Sequence, residues 1–171
     1  MQSSVTEDTS LFYQTPDRKI IIEFPSDVLM HLTRYRQNRC YSKEAGGQLF
    51  GKFNVEGHIT IGAITGPRKT DKRSRHSYKA DHAQEQREID EKYKDGLYFL
   101  GDWHTHPEGV ATPSPSDIKA ITEIYQSSIE PGPGFLLVIA GTAPIQDSLS
   151  VSWCNSKVTT MQRVGFPAFT R

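Results

Sequence analysis

The stretch Gly101-Asp102-Trp103-His104-Thr105-His106-Pro107, running on to Ser114-Pro115-Ser116-Asp117, decides how the rest of the chain is read. Two histidines stand one residue apart, and an aspartate follows after ten intervening residues. The apolar run Leu97-Tyr98-Phe99-Leu100 just upstream reads as a buried strand leading into the pair. Side chains alternate along a strand, so His104 and His106 project from one face. Two imidazoles and a carboxylate returned by a loop make an N/N/O donor set. That is how a catalytic zinc is held, with water at the fourth corner. Ser114 to Asp117 also reads as a helix start before the periodic Ile118, Ile121, Ile124 and Tyr125. Ser114 is then the N-cap, Pro115 the first helical residue, and Asp117 closes a capping box. The two readings are compatible, because a helix N-terminus keeps an aspartate ionised and firmly placed.

A chain of 171 residues is one ordinary domain with room for a core. Twenty basic residues balance twenty acidic ones, so nothing global argues for nucleic acid or an anionic membrane. Met1 to Lys19 is polar with no apolar segment of a signal peptide, and no run approaches the roughly 18 residues that span a bilayer. Cys40 and Cys154 belong to no C-x-x-C pattern and read as reduced structural thiols, which points to a cytoplasmic protein.

Residues 1–18 are polar and turn-rich and read as an N-terminal arm. The main domain is expected over 19–156, with a C-terminal tail over 157–171. Lys19 to Phe24 is a β-branched strand, and Pro25-Ser26-Asp27 opens a helix to about Asn38 with Val28, Leu29, Leu32 and Tyr35 inward. His31 falls at the edge of that face as a core-edge histidine. Glu44-Ala45-Gly46-Gly47 places a carboxylate before a glycine-rich strand, where glycines mark tight packing or a ligand. Alone, Glu44 reads as a solvated loop acid. A metal site changes that, because the attacking water needs a nearby carboxylate that is not a ligand. Gly57 to Thr65 alternates as a strand, joined to the preceding one by a hairpin through Asn54-Val55-Glu56-Gly57, with His58 at the surface. Arg68 to Arg75 carries five basic residues in eight and reads as a solvated loop. No aromatic residues interleave, so a nucleic-acid role is not expected. His76 to Ala80 is a short strand, and Asp81 to about Lys94 a charged outer helix. Phe135 to Ala140 is a fully buried central strand, and Leu149 to Cys154 an edge strand.

With Glu44, His104, His106, Ser114 and Asp117 in hand, the chain resembles the JAMM (JAB1/MPN/Mov34) metalloprotease family. The signature is an upstream glutamate, H-x-H, ten residues and an aspartate, with a serine three before it. The likeness covers roughly Lys19 to Trp153. It implies an α/β fold: a single MPN/JAB domain, cytidine-deaminase-like, with a mixed sheet flanked by helices. It implies one Zn2+ per chain on His104, His106 and Asp117. Glu44 would be the general acid/base, and Ser114 would help stabilise the oxyanion. Glu44-Ala45-Gly46-Gly47, Thr65-Gly66-Pro67, Asp71-Lys72-Arg73-Ser74-Arg75 and Gly101 to Glu108 are similar to a bacterial JAB subgroup of CBASS anti-phage operons. There the protease accompanies a ubiquitin-like conjugation system, and cuts the C-terminus of a cGAS/DncV-like nucleotidyltransferase from the proteins to which it is attached. A JAB peptidase for another ubiquitin-like or sulfur-carrier adduct is the alternative within enzymes. A non-catalytic MPN-type scaffold is the alternative outside them, and would be marked by loss of ligands or of the glutamate.

Overall fold

A computed structural model of the chain describes residues 9–54 and 57–167. In chain order the strands and helices are β1 (Leu11–Gln14), β2 (Ile21–Phe24), α1 (Ser26–Tyr35), β3 (Gly46–Phe53), β4 (His58–Ile64), β5 (Lys72–Arg73), β6 (Tyr78–Lys79) and α2 (His82–Lys94). They continue with β7 (Tyr98–Thr105), α3 (Pro115–Ser127), β8 (Phe135–Ala140), the short α4 (Ile145–Ser148), β9 (Leu149–Cys154), β10 (Val158–Thr160) and β11 (Gln162–Val164). Among the described residues nine strands form one mixed sheet in the order β10-β9-β8-β7-β3-β4-β2-β1-β11, and β5 and β6 form a separate hairpin. Among the described residues only β7–β8 and β2–β4 are parallel. Parallel neighbours need a crossover, and α3 lies in the one between β7 and β8.

The central strand β8 is buried at every residue and divides its side chains between two cores. Leu136 and Val138 join Val28, Leu29 and Leu32 of α1, with Leu49, Leu100 and Trp103, on one face of the sheet. Leu137 and Ile139 join Ile121 of α3 on the other. The expected helix against each side is therefore present. Alternation along β7 sends Trp103 and Thr105 into the α1 side and leaves Asp102 and His104 facing α2 and α3. The charged helix α2 buries no residue, as its pattern implies; Asp81 caps it by accepting from the amides of Ala83 and Gln84.

Several expectations change. Leu11 to Gln14, within the stretch read as a loose arm, is a strand between β2 and β11. The stretch read as a tail supplies β10 and β11, so β9 is not the edge. Their short runs do not show it locally: β1 and β11 pair with each other from opposite ends of the chain, and β1 and β10 are also held by ladders to the adjacent β2 and β9. His58 is half-buried, 3.4 Å from Glu23, rather than at the surface. The hairpin expected through residues 54–57 joins an antiparallel pair, β3–β4, but Val55 and Glu56 lie outside the described residues, as do Ala168 and Phe169. Cys154 is buried and Cys40 exposed, and neither is in a disulfide.

The basic run is not a solvated loop. Arg68 has a side chain only 9% exposed and binds Glu88 through both Nε and a terminal nitrogen, with Asp71 and Glu85 each 3.7 Å away. Arg73 Nε donates to the Glu44 carbonyl at 2.6 Å, and Arg75 donates to the carbonyls of Arg39 and Cys40. These guanidinium groups brace α2 and the 39–44 segment. Lys69 and Lys72 are exposed.

Candidate metal centre

His104 ends the inward alternation of β7, and His106 continues it one step past the strand. The His106 amide donates to the Ala140 carbonyl at 3.0 Å, which prolongs the β7–β8 pairing through the second histidine. The two Nε2 atoms are 3.1 Å apart. Asp117 meets them from the first turn of α3, with His104 Nε2 3.2 Å from Oδ1 and His106 Nε2 3.4 Å from Oδ2. Bonds of about 2.0–2.1 Å to a tetrahedral zinc would set corner atoms roughly 3.3–3.4 Å apart. The imidazole nitrogens are close to that spacing from each other, and each is close to it from one oxygen of Asp117, His104 from Oδ1 and His106 from Oδ2. Two imidazole nitrogens aimed at each other and at one carboxylate are readily reconciled by a cation between their lone pairs. The N/N/O set fits a zinc ion.

The cap and the donor role of Asp117 coexist. The Ser114 amide and hydroxyl each donate to Asp117 Oδ2 at 2.7 Å, while the Asp117 amide donates back to the Ser114 hydroxyl at 3.2 Å. The capping box thus fixes one carboxylate oxygen and turns the other toward His104. Ser114 Oγ also lies 2.8 Å from Ser116 Oγ. Burial would raise the Asp117 carboxyl, but hydrogen bonds from both histidines and Ser114 outweigh it and hold the group far below the usual carboxylate range. The bond to Asp117 raises His106 against the opposing effect of burial. His106 Nδ1 sits 3.3 Å from Glu108, the outer-shell carboxylate partner common among metal-ligating histidines.

Glu44 completes the cluster: a carboxylate oxygen and a nitrogen from each of His104 and His106 all lie within 4.8 Å of one another. Burial pushes its carboxyl up, and the two imidazoles only partly offset this. Its position is set by backbone. Gly46 pairs with His104 across β3–β7, so Glu44 falls beside the histidine-bearing end of β7. Thr105, the residue between the histidines, donates to Gln37 Oε1 at 3.1 Å and accepts from the Ala45 amide at 2.9 Å. From the other side the Glu44 amide donates to the Ser74 carbonyl at 2.7 Å. The glycine pair follows from crowding: a Cβ on Gly46 would lie 2.5 Å from the Tyr78 ring, and one on Gly47 1.9 Å from the Thr65 carbonyl oxygen. All five residues read from sequence are thus in one place. Sequence reading missed Thr105, Gln37 and Arg73 as supports. Thr105 was open to notice from its place between the histidines, whereas Gln37 carries no local signal.

A mixed sheet with an H-x-H strand and an aspartate-bearing helix at its mouth is the architecture of a JAB domain. Residues 26–154 match the family described as prokaryotic homologs of the JAB domain, and the chain belongs to that family. It is 33% identical over 113 residues to a protein of Escherichia coli (strain TW11681) named CD-NTase/cGAS isopeptidase, covering 64% of this chain and 70% of that one. A protein of the same name from Vibrio cholerae serotype O1 (strain ATCC 39315 / El Tor Inaba N16961) is 28% identical over 117 residues, covering 67% and 72%. A solution structure of a Desulfitobacterium hafniense protein aligns with a TM-score of 0.51 at 20% identity over 77% of this chain and 82% of its own, a likeness of fold alone.

Proposed function

We propose that the chain is a zinc-dependent isopeptidase that removes a nucleotidyltransferase, joined through its C-terminus by a ubiquitin-like conjugation system, from its protein targets in anti-phage defence. The observation that carries this reading is the convergence of His104, His106 and the Asp117 carboxylate within 3.4 Å of one another, with a raised Glu44 carboxyl alongside. The names of the E. coli and V. cholerae relatives support the substrate class.

His104, His106 and Asp117 would hold the zinc, which would supply Lewis acidity toward the scissile carbonyl and acidify a water. Glu44 takes the proton of the attacking water and hands it to the leaving amine as the C–N bond breaks. A carboxyl raised by burial is suited to both halves of that transfer. The Ser114 hydroxyl turns from Asp117 toward the carbonyl oxygen as negative charge develops there, and its amide bond to Asp117 Oδ2 keeps the ligand in place meanwhile.

The test is cleavage of a purified conjugate in which the C-terminal carboxyl of a CD-NTase is joined to a lysine of a carrier protein. Wild-type protein should release the CD-NTase. Glu44→Gln should retain the metal but lose cleavage by roughly 10²–10⁴-fold, the usual contribution of a general acid/base. Cleavage at the wild-type rate by Glu44→Gln would overturn the assignment.

A further inference from the structure

A groove of about 270 Å³ leaves the candidate metal centre between α2 and α3. Asp102 and His104 form its floor, Tyr78 and Glu85 one wall, and Ala120 and Ile121 the other. The exposed Lys79 and His82 stand at its mouth. No described residue donates a hydrogen bond to the Asp102 carboxyl or forms an ion pair with it. Arg68, the cation nearest in influence, is committed to Glu88, Asp71 and Glu85.

A second acceptor lies beside the first. Gln48 faces Asp102 across the β3–β7 pair, and opposed residues of an antiparallel pair share a face of the sheet. Gln48 is 3% exposed, and its Oε1 is buried without a partner. An acceptor left unsatisfied in a protein interior costs about 1–3 kcal/mol, and native structures leave few. A half-buried carboxylate without a donor at the floor of a groove joined to a reaction centre, with an unpartnered amide oxygen opposite it in the sheet, calls for a ligand that brings donors. Arginine and lysine bring only donors, on long apolar stems. The Tyr78 ring, Ala120 and Ile121 offer such a stem its apolar path to the floor.

We infer that this groove is a side-chain subsite that takes an arginine or lysine of the substrate next to the bond to be cut, with Asp102 as the residue that selects it. The inference rests on the peptidase reading for the word substrate, but the groove can be tested without any cleavage. Nitrogen-15-labelled full-length, zinc-loaded protein is titrated with acetyl-arginine amide, acetyl-norleucine amide and acetyl-glutamate amide, and amide shifts are followed. Arginine amide should give saturable shifts at Gly47, Tyr78, Ala120 and Leu137. Norleucine and glutamate amides should bind at least about tenfold more weakly, the scale of one charged hydrogen bond. Asp102→Asn should keep the dispersed spectrum and zinc content and lose the arginine preference. Norleucine or glutamate amide binding as well as arginine amide, or an unchanged preference in Asp102→Asn, would overturn the inference. If that variant does not fold, the wild-type series alone decides. A protein that binds arginine amide in the groove yet cleaves no conjugate would count against the peptidase reading and not against the subsite.

Discussion

Asp117 shows how much one position can carry: in the first turn of α3 it closes a capping box and answers two imidazoles. The sequence offered the cap and the ligand as separate readings, and geometry joins them by giving each a different share of the carboxylate. His31 is a second case in which the sequence reading was sufficient. It sits at the edge of the α1 core, its Nε2 is 2.8 Å from the Gly66 carbonyl, and its ring packs edge-on against Trp103 of β7. Burial lowers its imidazole below the ordinary value, with the Gly66 bond opposing and Arg34 reinforcing. An unfolded histidine takes up its proton near pH 6.5, and the folded one only at lower pH. Below about pH 6.5 the unfolded state therefore binds more protons, and stability falls as pH falls. Gln can keep the donor to Gly66 and cannot titrate. In urea unfolding at pH 7.5 and 5.5, His31→Gln should lose less stability than wild type on acidification. An equal loss in both proteins would contradict this account of His31.

The β3–β7 pair and the β5–β6 hairpin do the work that no motif describes. Register places Glu44 beside the histidines, Thr105 ties Ala45 to Gln37, and Arg73 and Ser74 hold the Glu44 backbone from outside. The motif residues were legible because their chemistry is rare and their spacing fixed. The supports were not, because Gln37 and Ser74 are ordinary residues made important by what lies across the fold. The basic run misled for the same reason: five cations in eight read as solvent-facing until Glu85 and Glu88, a helix away, are brought beside Arg68. That assignment predicts an uneven result from two similar substitutions. Arg68→Met should lower stability in urea by roughly 3 kcal/mol, because carboxylates around it lose their partner in a poorly hydrated place. Lys69→Met should stay within about 0.5 kcal/mol of wild type. Equal, small effects would return the run to the status of a solvated loop.

Across the molecule, the nine-stranded sheet separates a packed face from a working one. α1 closes the first over Trp103 and its neighbours, while α2 and α3 leave a groove over Asp102 and His104 on the second. The central strands were legible from runs such as Phe135 to Ala140, whose apolar residues serve both faces. The outer strands β1, β10 and β11 were not, being short and specified by the strands they pair with. Among the described residues no helix is long and apolar enough to cross a membrane. The arrangement has one purpose if the convergence of β7 and α3 is a metal centre, and loses it otherwise. The decisive measurement is zinc content by elemental analysis of purified wild-type and Asp117→Ala protein. One zinc per wild-type chain, lost from the variant while its fold is retained by circular dichroism, is the predicted result. A folded wild-type protein that takes up no zinc, or an Asp117→Ala protein that keeps a full complement, would contradict it.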